Sequence, residues 1–569
     1  MNTKVKVLLL FLAFIVVNAM FAQQIPLPSK NQIRWQKYEH TMFIHFSPAT
    51  WQGKEFDDLS YPISKINPTL LNTDQWCEVA KLWDAKMIVF VAKHVGGFCW
   101  WQTNTTEYSV KNTPWRGGKG DVLRDLSESC KKYGLDLGVY LYPGDPAWGA
   151  GIGSGGKTED PTKQEAYNKI YRQQLTEVLS KYGSMKEVWF DGNCHIPVKD
   201  ILEKYAKEAV IYQGKQADIR WSGNEDGVAP YPNWYTIKKE DLATGYSTAL
   251  QSDVNGDAYA PIETDIPLLK NGTHKWFWAP NTDKYILTLD QLMNAYYKTS
   301  GRGSVFLINA TPDTTGLIPM SHVKRYKEFG LELRKRFGQS LGKTSGKGKE
   351  VMLNFEEPTD VNHCIIRERL ENGQRVKSYV LEGYSKERQW FVLSKGSSIG
   401  LKRIDFFKNV RVEKIRLTVL DCKAEPVISE LSAYNVRGKF MEALKSNTKP
   451  ILISSWENDT YSENEWKELV LDLTPYVTQV GVYDVSFNLI SYDYLSKKAT
   501  GLIFKDWELE MYGKNYPEGL TRIDNSSVFR VTRSQQSLNE YPTYLKVKVR
   551  RNPAASSGEI TINRVEINK

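Results

Sequence analysis

Short apolar stretches alternate with amphipathic stretches from about residue 33 to residue 340 of this 569-residue chain, and this alternation limits the folds open to it. Repeated strand–helix units favour a parallel sheet, because each helix returns the chain to the start of the next strand. The predicted strands are Thr41–Phe46, Met87–Ala92, Leu137–Tyr142, Val188–Asp191, Ala209–Tyr212 and Ser304–Ile308. The predicted helices are Asp74–Trp83, Asp121–Tyr133, Lys163–Tyr182, Leu289–Ser300 and Met320–Phe337. About 300 residues with this pattern suit a (β/α)8 barrel.

A doubly wound sheet is the main alternative, but no predicted strand leads tightly into a phosphate-binding glycine turn. A loop rich in Gly, Ser and Lys follows Phe337, and beyond it short strands separated by turns replace the helical pattern. The predicted domains are a signal peptide at 1–22, the barrel at 23–345, and β-sandwiches at 346–436 and 437–569. The predicted fold class is therefore α/β, a (β/α)8-like barrel followed by two C-terminal β-sandwich domains.

The N-terminus predicts export. Lys4 and Lys6 precede an apolar run that begins at Val7, and small residues near Ala22 follow it, as in a signal peptide. No later stretch reaches the roughly 18 apolar residues that suggest a membrane-spanning helix. We therefore expect a periplasmic or secreted protein without a membrane partner. The formal net charge is +9, but Lys and Arg are interspersed with Asp and Glu. A continuous basic surface for nucleic-acid binding is therefore not expected.

One glycine-rich segment, Gly151–Thr158, fits the P-loop expression and also contains G-x-G-x-x-G. Both motifs need a strand that enters the glycines directly and a helix that leaves directly. Here the predicted strand ends near Tyr142, and Pro161 interrupts any helix that starts at Lys157. We interpret the segment as a loop over the site. The six cysteines form no C-x-x-C pair, which argues against zinc, and neither a cofactor nor a metal is expected.

Hydrogen-bonding side chains recur where the predicted strands end. Four successive strand ends carry one: His45, His94, Tyr140 and Asp191. Because barrel enzymes build their sites at the carboxyl ends of strands, these side chains are expected to line one site. Asp191 ends an apolar and aromatic run, although an acid at such a position also serves as a loop cap. Donors and acceptors around aromatic rings suit a hydroxyl-rich ligand such as a sugar.

Glycoside hydrolysis usually needs two carboxylates, one as nucleophile or base and one as acid. If Asp191 is the first, the later loops offer two candidates for the second. Glu225 follows Arg220 and Trp221, and Glu263 precedes the aromatic run Trp276–Trp278. The spacing of these residues along the chain does not decide between them.

Several stretches of residues 33–340 together resemble glycoside hydrolase family 29, the α-L-fucosidases. The matching stretches are Met42–Phe46, Ala92–His94, Gly97–Cys99, Ser109–Asn112, Gly118–Val122, Glu187–Gly192 and Leu307–Pro312. The resemblance implies a catalytic barrel that removes terminal L-fucose from fucosylated oligosaccharides or glycoconjugates with a retaining mechanism and without a metal. It also points to the branch that cleaves α-1,3 and α-1,4 fucosidic bonds.

The resemblance further implies roles for individual residues. Asp191 matches the nucleophile of the family, Glu263 looks like its acid/base, and Glu225 is the alternative acid/base. The implied sugar-binding residues are His45, Glu55, His94, Trp101, Tyr140, Trp189 and Arg220.

The sequence departs from the family at one motif. Where relatives commonly read Lys-His-His-Asp-Gly-Phe, this chain reads Lys93-His94-Val95-Gly96-Gly97-Phe98. Val95 replaces a histidine that contacts a sugar hydroxyl in relatives. An α-L-galactoside is therefore an alternative substrate, and a carbohydrate-binding protein with little turnover is an alternative function.

The first β-sandwich, from about residue 350 to 436, resembles the discoidin-type galactose-binding domain often appended to these barrels. Such a domain either binds glycan or braces the barrel, and we expect bracing. The second β-sandwich resembles no family, so its role is open, as is the oligomeric state.

Overall fold

Eight parallel strands form the central sheet of the protein. The computed structural model describes residues 25–273, 275–437, 449–451, 464–473, 481–490, 502–511, 514–515, 520–522, 528–533, 543–551 and 561–568. The strands of the central sheet are β1 His40–Ile44, β2 Met87–Lys93, β3 Asp136–Leu141, β4 Glu187–Trp189, β5 Val210–Tyr212, β6 Arg220–Trp221, β9 Ile262–Pro267 and β10 Val305–Ala310. A small antiparallel pair, β7 Thr236–Ile237 and β8 Ala258–Tyr259, lies between β6 and β9 in the chain.

The order of these strands makes a nearly closed barrel. Neighbours follow the order β5-β4-β3-β2-β1-β10-β9-β6, and every pairing within the sheet is parallel. The two end strands, β5 and β6, meet through a single parallel bridge between Tyr212 and Ile219. The predicted fold class is confirmed. Because all strands run the same way, their carboxyl ends share one face of the barrel.

Two barrel strands, β6 and β9, were not among the predicted strands. Strand β9 reads Ile-Glu-Thr-Asp-Ile-Pro, and all six residues are buried. Its acidic residues and terminal proline lack the apolar pattern of a buried strand. Strand β6 has only two residues, which is too short for any periodicity to show. Both strands were therefore predicted as loop.

Helices surround the barrel, and all five predicted helices are confirmed to within a residue or two at their ends. They begin and end where local signals predict. Asp121 accepts a hydrogen bond from the backbone N–H of Arg124, and Thr288 forms a capping box with Gln291. The helices are α1 Lys30–Gln36, α2 Ala49–Gln52, α3 Thr73–Leu82, α4 Val122–Tyr133, α5 Gln164–Lys181, α6 Lys199–Tyr205, α7 Lys239–Leu242, α8 Leu289–Lys298 and α9 Met320–Phe337.

Two apolar layers stabilise the barrel. The outer layer lies between strands and helices, and includes residues such as Trp76, Phe90 and Phe329. The inner layer fills the barrel with aromatic side chains, and its members include Phe43, Tyr140, Trp189, Tyr212 and Trp221. Trp189 stacks on Tyr212 with ring centroids 3.8 Å apart and planes 6° from parallel. The barrel is therefore filled rather than hollow, and ligands have access only at its ends.

A six-stranded antiparallel sheet follows the last barrel helix with its own apolar core. Its strands are β11 Gly342–Lys347, β12 Glu350–Glu368, β13 Val376–Ser385, β14 Gln389–Gly396, β15 Arg403–Cys422 and β16 Val427–Tyr434. Glu39, beside the first barrel strand, forms ion pairs with Lys402 at 2.8 Å and Arg367 at 2.6 Å. Ile365 and Ile404 join the outer apolar layer of the barrel. The sheet thus packs on the barrel through both apolar and ionic contacts.

Two further sheets face each other in the C-terminal part. Phe504, on the four-stranded sheet, contacts Phe487 and Phe529 on the five-stranded sheet at centroid distances of 5.3 and 5.7 Å. The five-stranded sheet contains β17 Lys449–Ile451, β19 Gly481–Ile490, β22 Leu520–Arg522, β23 Val528–Arg533 and β25 Thr561–Asn568. The four-stranded sheet contains β18 Lys467–Asp472, β20 Leu502–Met511, β21 Lys514–Asn515 and β24 Thr543–Arg551. Within the described residues, no helix has the length and apolarity needed to cross a membrane.

Gly330, in the middle of α9, gives a test of the packing between helices. A Cβ added at Gly330 would lie 1.9 Å from the carbonyl oxygen of Leu82 and 2.7 Å from Trp83 Cα. We expect Gly330→Ala to destabilise the protein by about 1–3 kcal/mol and to lower Tm, because α9 must move away from α3. Helix propensity alone predicts the opposite sign. Gly151→Ala is the control, since its Cβ meets nothing within 4 Å. An unchanged or higher Tm for Gly330→Ala in thermal unfolding would contradict this packing.

Candidate active site

Asp191 stands at the carboxyl end of β4, two residues beyond Trp189. Side chains alternate along a strand, so Glu187, Trp189 and Asp191 share the interior side of the barrel. The Tyr140 hydroxyl donates a hydrogen bond to Asp191 Oδ2 at 3.1 Å. Gly192 has a φ of +79°, which glycine adopts without strain, and its N–H donates to Gln213 Oε1 at 2.6 Å. The turn after the strand is therefore fixed, and Asp191 faces the top of the barrel.

The environment of Asp191 favours its protonated form more than water does. Burial raises the pKa of Asp191 to about 6, and the negative charge of Glu225 adds to the rise. The hydrogen bond from Tyr140 acts in the opposite direction, because it stabilises the charged form. The carboxylate is thus ionised near neutral pH but poorly solvated, which suits a group that attacks a carbon centre.

Two neutral histidines lie beside Asp191. The His45 and His94 rings are 5.7 Å apart, and the His94 ring stacks on that of Tyr140. Burial holds the pKa of His45 well below its usual range, and burial lowers the pKa of His94 to about 3. Each ring therefore offers one donor and one acceptor at neutral pH. Among the described residues, His94 Nδ1 is buried and has no hydrogen-bond partner, so this ring nitrogen is unsatisfied.

Asn309 fixes the orientation of the first histidine. Asn309 Nδ2 donates to the Trp276 carbonyl at 2.8 Å, which leaves Asn309 Oδ1 facing His45 Nδ1 at 2.8 Å. Because an amide oxygen only accepts, the proton of the His45 imidazole is on Nδ1 and Nε2 is the acceptor. Asn309 was not predicted as a site residue. Asn309 lies two residues after Leu307 on β10, and Leu307 belongs to the inner aromatic layer. Because side chains alternate along a strand, this spacing would have predicted that Asn309 also faces the barrel interior.

We call the group of His45, His94, Tyr140 and Asp191 at the carboxyl end of the barrel the cup. Trp276 lies against the cup on a loop after β9. Its N–H donates to Glu55 Oε2 at 2.6 Å, and its indole Nε1 donates to Glu225 Oε2 at 3.2 Å. Its ring lies 4.9 Å from that of His45. Glu55 therefore positions the Trp276 loop through a backbone hydrogen bond, and Trp276 links that loop to Glu225. An aromatic wall of this kind suits the apolar face of a sugar ring.

Glu225 stands on the same face of the barrel as Asp191, because it follows strand β6. Its charge acts on Asp191 and also on Asp265, a fully buried acid on β9. Glu225 is the second carboxylate at the cup, and Asp191 is the first. Both carboxylates lie on the face where barrel enzymes build their sites, so the pair offers a nucleophile or base together with an acid.

Glu263 does not lie in the cup. It is the second residue of β9, fully buried in the barrel, and its Oε2 accepts a hydrogen bond from Trp189 Nε1 at 2.8 Å. Burial raises the pKa of Glu263 well above its usual range, and the neighbouring Glu187 carboxyl adds to the rise. Trp35 Nε1 donates to Glu187 Oε2 at 2.9 Å. The two acids form a buried pair in the barrel interior, hydrogen-bonded to tryptophans.

Two more residues predicted to bind sugar lie elsewhere. All the hydrogen bonds of the Arg220 guanidinium go to the protein, to the carbonyls of Ala260, Thr248 and Trp234 and to Ser252 Oγ. Trp101 is fully buried in the outer apolar layer, and its Nε1 donates to Glu177 Oε2 at 3.0 Å. Arg220 braces the segment between β7 and β9, and Trp101 packs against α5. The structure brings together His45, Glu55, His94, Tyr140, Trp189, Asp191 and Glu225.

The atypical motif after β2 is Val95-Gly96, and the acid that lies beside it is Asp57. Val95 is buried with the inner aromatic layer, so it presents no polar group. A Cβ at Gly96 would lie 2.1 Å from Asp57 Oδ2. Asp57 in turn accepts hydrogen bonds from Tyr108 and from Gln52, both at 2.8 Å. Only glycine at position 96 leaves room for this carboxylate, which comes from the loop after β1.

Metal ligation has no visible basis here. In the part of the chain that the structure describes, no group of three or more His, Cys, Asp or Glu side chains is placed to hold an ion. The functional groups at the cup are carboxylates, imidazoles and aromatic rings.

Comparison with known proteins gives one consistent family. The family model described as Alpha-L-fucosidase matches residues 17–336. The chain is 31% identical over 475 residues to alpha-L-fucosidase 1 of Arabidopsis thaliana, covering 75% of this chain and 90% of the plant protein. It is similar to the crystal structure of a candidate alpha-L-fucosidase from Bacteroides thetaiotaomicron, with a TM-score of 0.68, 34% identity and coverage of 73% and 100%. A Ruminococcus gnavus fucosidase in complex with fucose gives a TM-score of 0.63, 25% identity and coverage of 73% and 96%.

The buried acid pair predicts an unusual dependence of stability on pH. Burial raises the pKa of Glu187 from 4.5 to about 7, so the folded pair binds protons more tightly than the unfolded chain. Its contribution to stability is therefore fully present below pH 4.5 and is lost as pH rises to about 7. Glu263→Gln cannot ionise and still accepts the Trp189 hydrogen bond. We expect its Tm gain over wild type to be larger at pH 8 than at pH 5.

The measurement is thermal unfolding at both pH values with Glu203→Gln as the control. Glu203 is exposed, so its substitution removes an acid without changing the buried pair. Equal Tm differences for Glu263→Gln at pH 5 and pH 8 would show that the pair does not hold its proton more tightly in the folded state.

Proposed function

The chain belongs to the α-L-fucosidase family of glycoside hydrolases, and we propose that it releases terminal L-fucose from glycans with retention of configuration. The observation that carries this proposal is the pairing of Asp191 and Glu225 on the top face of the barrel. Asp191 is partly buried, close to neutral histidines, and acted on by the charge of Glu225. This arrangement supports a double displacement.

In the first step, the Asp191 carboxylate attacks the anomeric carbon as the bond to the leaving oxygen breaks. Glu225 in its acid form gives its proton to that oxygen. The ester that results removes the negative charge of Asp191, so Glu225 becomes ionised without facing a second charge. Glu225 then takes a proton from water as the water attacks the same carbon and Asp191 leaves. Both carboxyl groups are back in their starting forms when the second step ends.

The sugar is held by groups that do not change charge. His45 and His94 are neutral and give donors and acceptors to hydroxyls. The ring of Trp276 offers an apolar surface to the face of the sugar and its methyl group. Fucose suits this cup better than L-galactose, because Val95 adds no polar group for an extra hydroxyl. The barrel interior below Trp189 is filled, so the cup ends there and holds one terminal sugar. The enzyme therefore removes single terminal residues.

We assign the acid/base role to Glu225 rather than to Glu263. An acid/base must reach the glycosidic oxygen, and Trp189 and Glu187 enclose Glu263 inside the barrel. Glu225 is partly exposed and follows β6 on the face of the barrel where Asp191 lies. The family resemblance points to the branch that cleaves α-1,3 and α-1,4 fucosidic bonds, and we extend the proposal to these linkages.

Two further proposals concern the rest of the chain. Residues 1–22 read as a signal peptide, so the substrate is a glycan outside the cytoplasm, and N-terminal sequencing of the mature protein tests this. We also propose that the six-stranded sheet is a discoidin-type domain that braces the barrel. The ion pairs of Glu39 with Lys402 and Arg367, together with Ile404 in the outer apolar layer, support bracing.

Hydrolysis of an aryl α-L-fucoside tests the function itself. We expect the wild-type protein to release the aryl group and Asp191→Asn to release none above background, because the nucleophile is lost while shape is kept. A panel of α-1,2, α-1,3, α-1,4 and α-1,6 fucosylated oligosaccharides then gives the linkage. NMR of the first-formed sugar gives the anomeric outcome. Wild-type activity no higher than that of Asp191→Asn would overturn the proposal.

Substitution at the two candidate acids tests the acid/base assignment. Glu225→Ala should lose about 10²–10⁴-fold in kcat/KM on a natural oligosaccharide, and less on an activated aryl fucoside that needs no protonation. Azide should restore part of the Glu225→Ala activity by entering the space of the lost carboxylate. Glu263→Gln should keep most of the wild-type activity. Azide rescue of Glu263→Ala with none for Glu225→Ala would assign the role to Glu263.

A further inference from the structure

Three loops meet beside Asp191 at the mouth of the cup. They are residues 151–158, which follow β3, residues 192–198, which follow β4, and residues 244–246. The His195 N–H donates to the Gly155 carbonyl at 2.8 Å, and His195 Nε2 lies 3.0 Å from the Tyr246 hydroxyl. The first two loops follow carboxyl ends of strands, so the cluster stands on the face that carries Asp191.

The glycine-rich segment 151–158 is a wall of this cluster and has no P-loop geometry. Strand β3 ends at Leu141, and the next α-helix starts only at Gln164. A Cβ at Gly155 would lie 2.7 Å from His195 Cδ2, and Gly155 has a φ of +58°. The Gly153 N–H donates to the Tyr142 hydroxyl at 2.7 Å. The glycines therefore allow the loop to pass close around the imidazole.

Tyr142 connects this wall to Asp191. Burial raises the pKa of Tyr142 to about 12, and the charge of Asp191 adds to the rise. Tyr142 thus lies between Asp191 on one side and the loop at Gly153 on the other. When fucose is bound in the cup, the sugar that carries it extends out of the cup along one of the surrounding loops. The His195 cluster is one of these surfaces.

The charges that act on the His195 imidazole are positive. Burial lowers the pKa of His195, and the charges of Lys157 and Lys215 lower it further. Both lysines are exposed, and neither forms an ion pair with another residue that the structure describes. Tyr246 is 47% exposed beside the imidazole. Lys157 lies two residues after Gly155, and Lys215 follows Gly214, whose N–H donates to the Gly245 carbonyl at 3.1 Å. Two exposed lysines, a neutral imidazole and a phenol therefore lie on loops that meet at one patch of the rim.

We propose that Lys157, Lys215, His195 and Tyr246 form an acceptor subsite for an anionic group on the sugar that carries the fucose. The group is a sulfate ester or a carboxylate, since either presents several oxygens to these donors. The inference rests on the proposed function and adds a preference to it. Because the lysines are exposed, the attraction is modest and weakens as salt rises.

The test compares kcat/KM for three fucosylated oligosaccharides that differ only in the acceptor sugar: neutral, sulfated, and bearing a carboxylate. We expect the wild type to favour an anionic acceptor over the neutral one about three- to tenfold at low salt. Lys157→Gln/Lys215→Gln should bring that ratio close to one while its activity on an aryl fucoside stays unchanged. The control is Lys324→Gln/Lys335→Gln, which removes the same charge from the exposed face of α9 and should keep the preference.

Preference for the sulfated substrate alone assigns the subsite to sulfate esters, and preference for the carboxylate alone assigns it to acidic sugars. A wild-type ratio near one for both, in an enzyme that cleaves the aryl fucoside, overturns the inference and leaves the proposed function intact. The same holds if the control variant loses the preference as fully as the rim variant. Absence of aryl fucoside cleavage would instead count against the proposed function.

Discussion

Four carboxyl groups lie inside or at the mouth of one aromatic barrel, and each accepts a hydrogen bond from an uncharged aromatic side chain. Trp35 donates to Glu187, Trp189 to Glu263, Trp221 to Asp265, and Tyr140 to Asp191. None of the four forms an ion pair with a lysine or arginine that the structure describes. Burial therefore raises the pKa of all four. Of the four, Asp191 alone is partly exposed, and the other three are buried in the barrel.

The sequence was enough to predict the barrel but not the roles of all its acids. Apolar strands and capped helices carry periodic signals, and these elements lie where they were predicted. Strand β9 escaped because its buried face is acidic, and a sequence pattern does not show that indoles will satisfy those acids. Glu263 was therefore treated as a loop residue free to reach a substrate. Arg220 and Trp101 were placed at the site by the family resemblance alone, and a resemblance does not show where each side chain makes its hydrogen bonds.

The resemblance carried the site further than the residues alone. Asp191, His45 and His94 lie together as it implied, and Glu225, the alternative acid/base, follows a strand on the same face of the barrel. The unusual Gly96 has a physical reason that the sequence hides. Asp57 comes from a different loop and fills the space beside Gly96, a contact between residues 39 positions apart in the chain. Contacts of that kind have no local signature.

The open seam between β5 and β6 has a consequence for catalytic geometry. Asp191 follows β4 on one side of this seam, and Glu225 follows β6 on the other, with a single backbone bridge joining the end strands. The ladder of backbone hydrogen bonds runs from one carboxylate to the other the long way around the barrel. Side chains make the short connection: Trp189, on the Asp191 strand, stacks on Tyr212 and hydrogen-bonds to Glu263 on β9. Glu263 thus connects the strand that ends at Asp191 to β9, and β9 pairs with the strand that precedes Glu225.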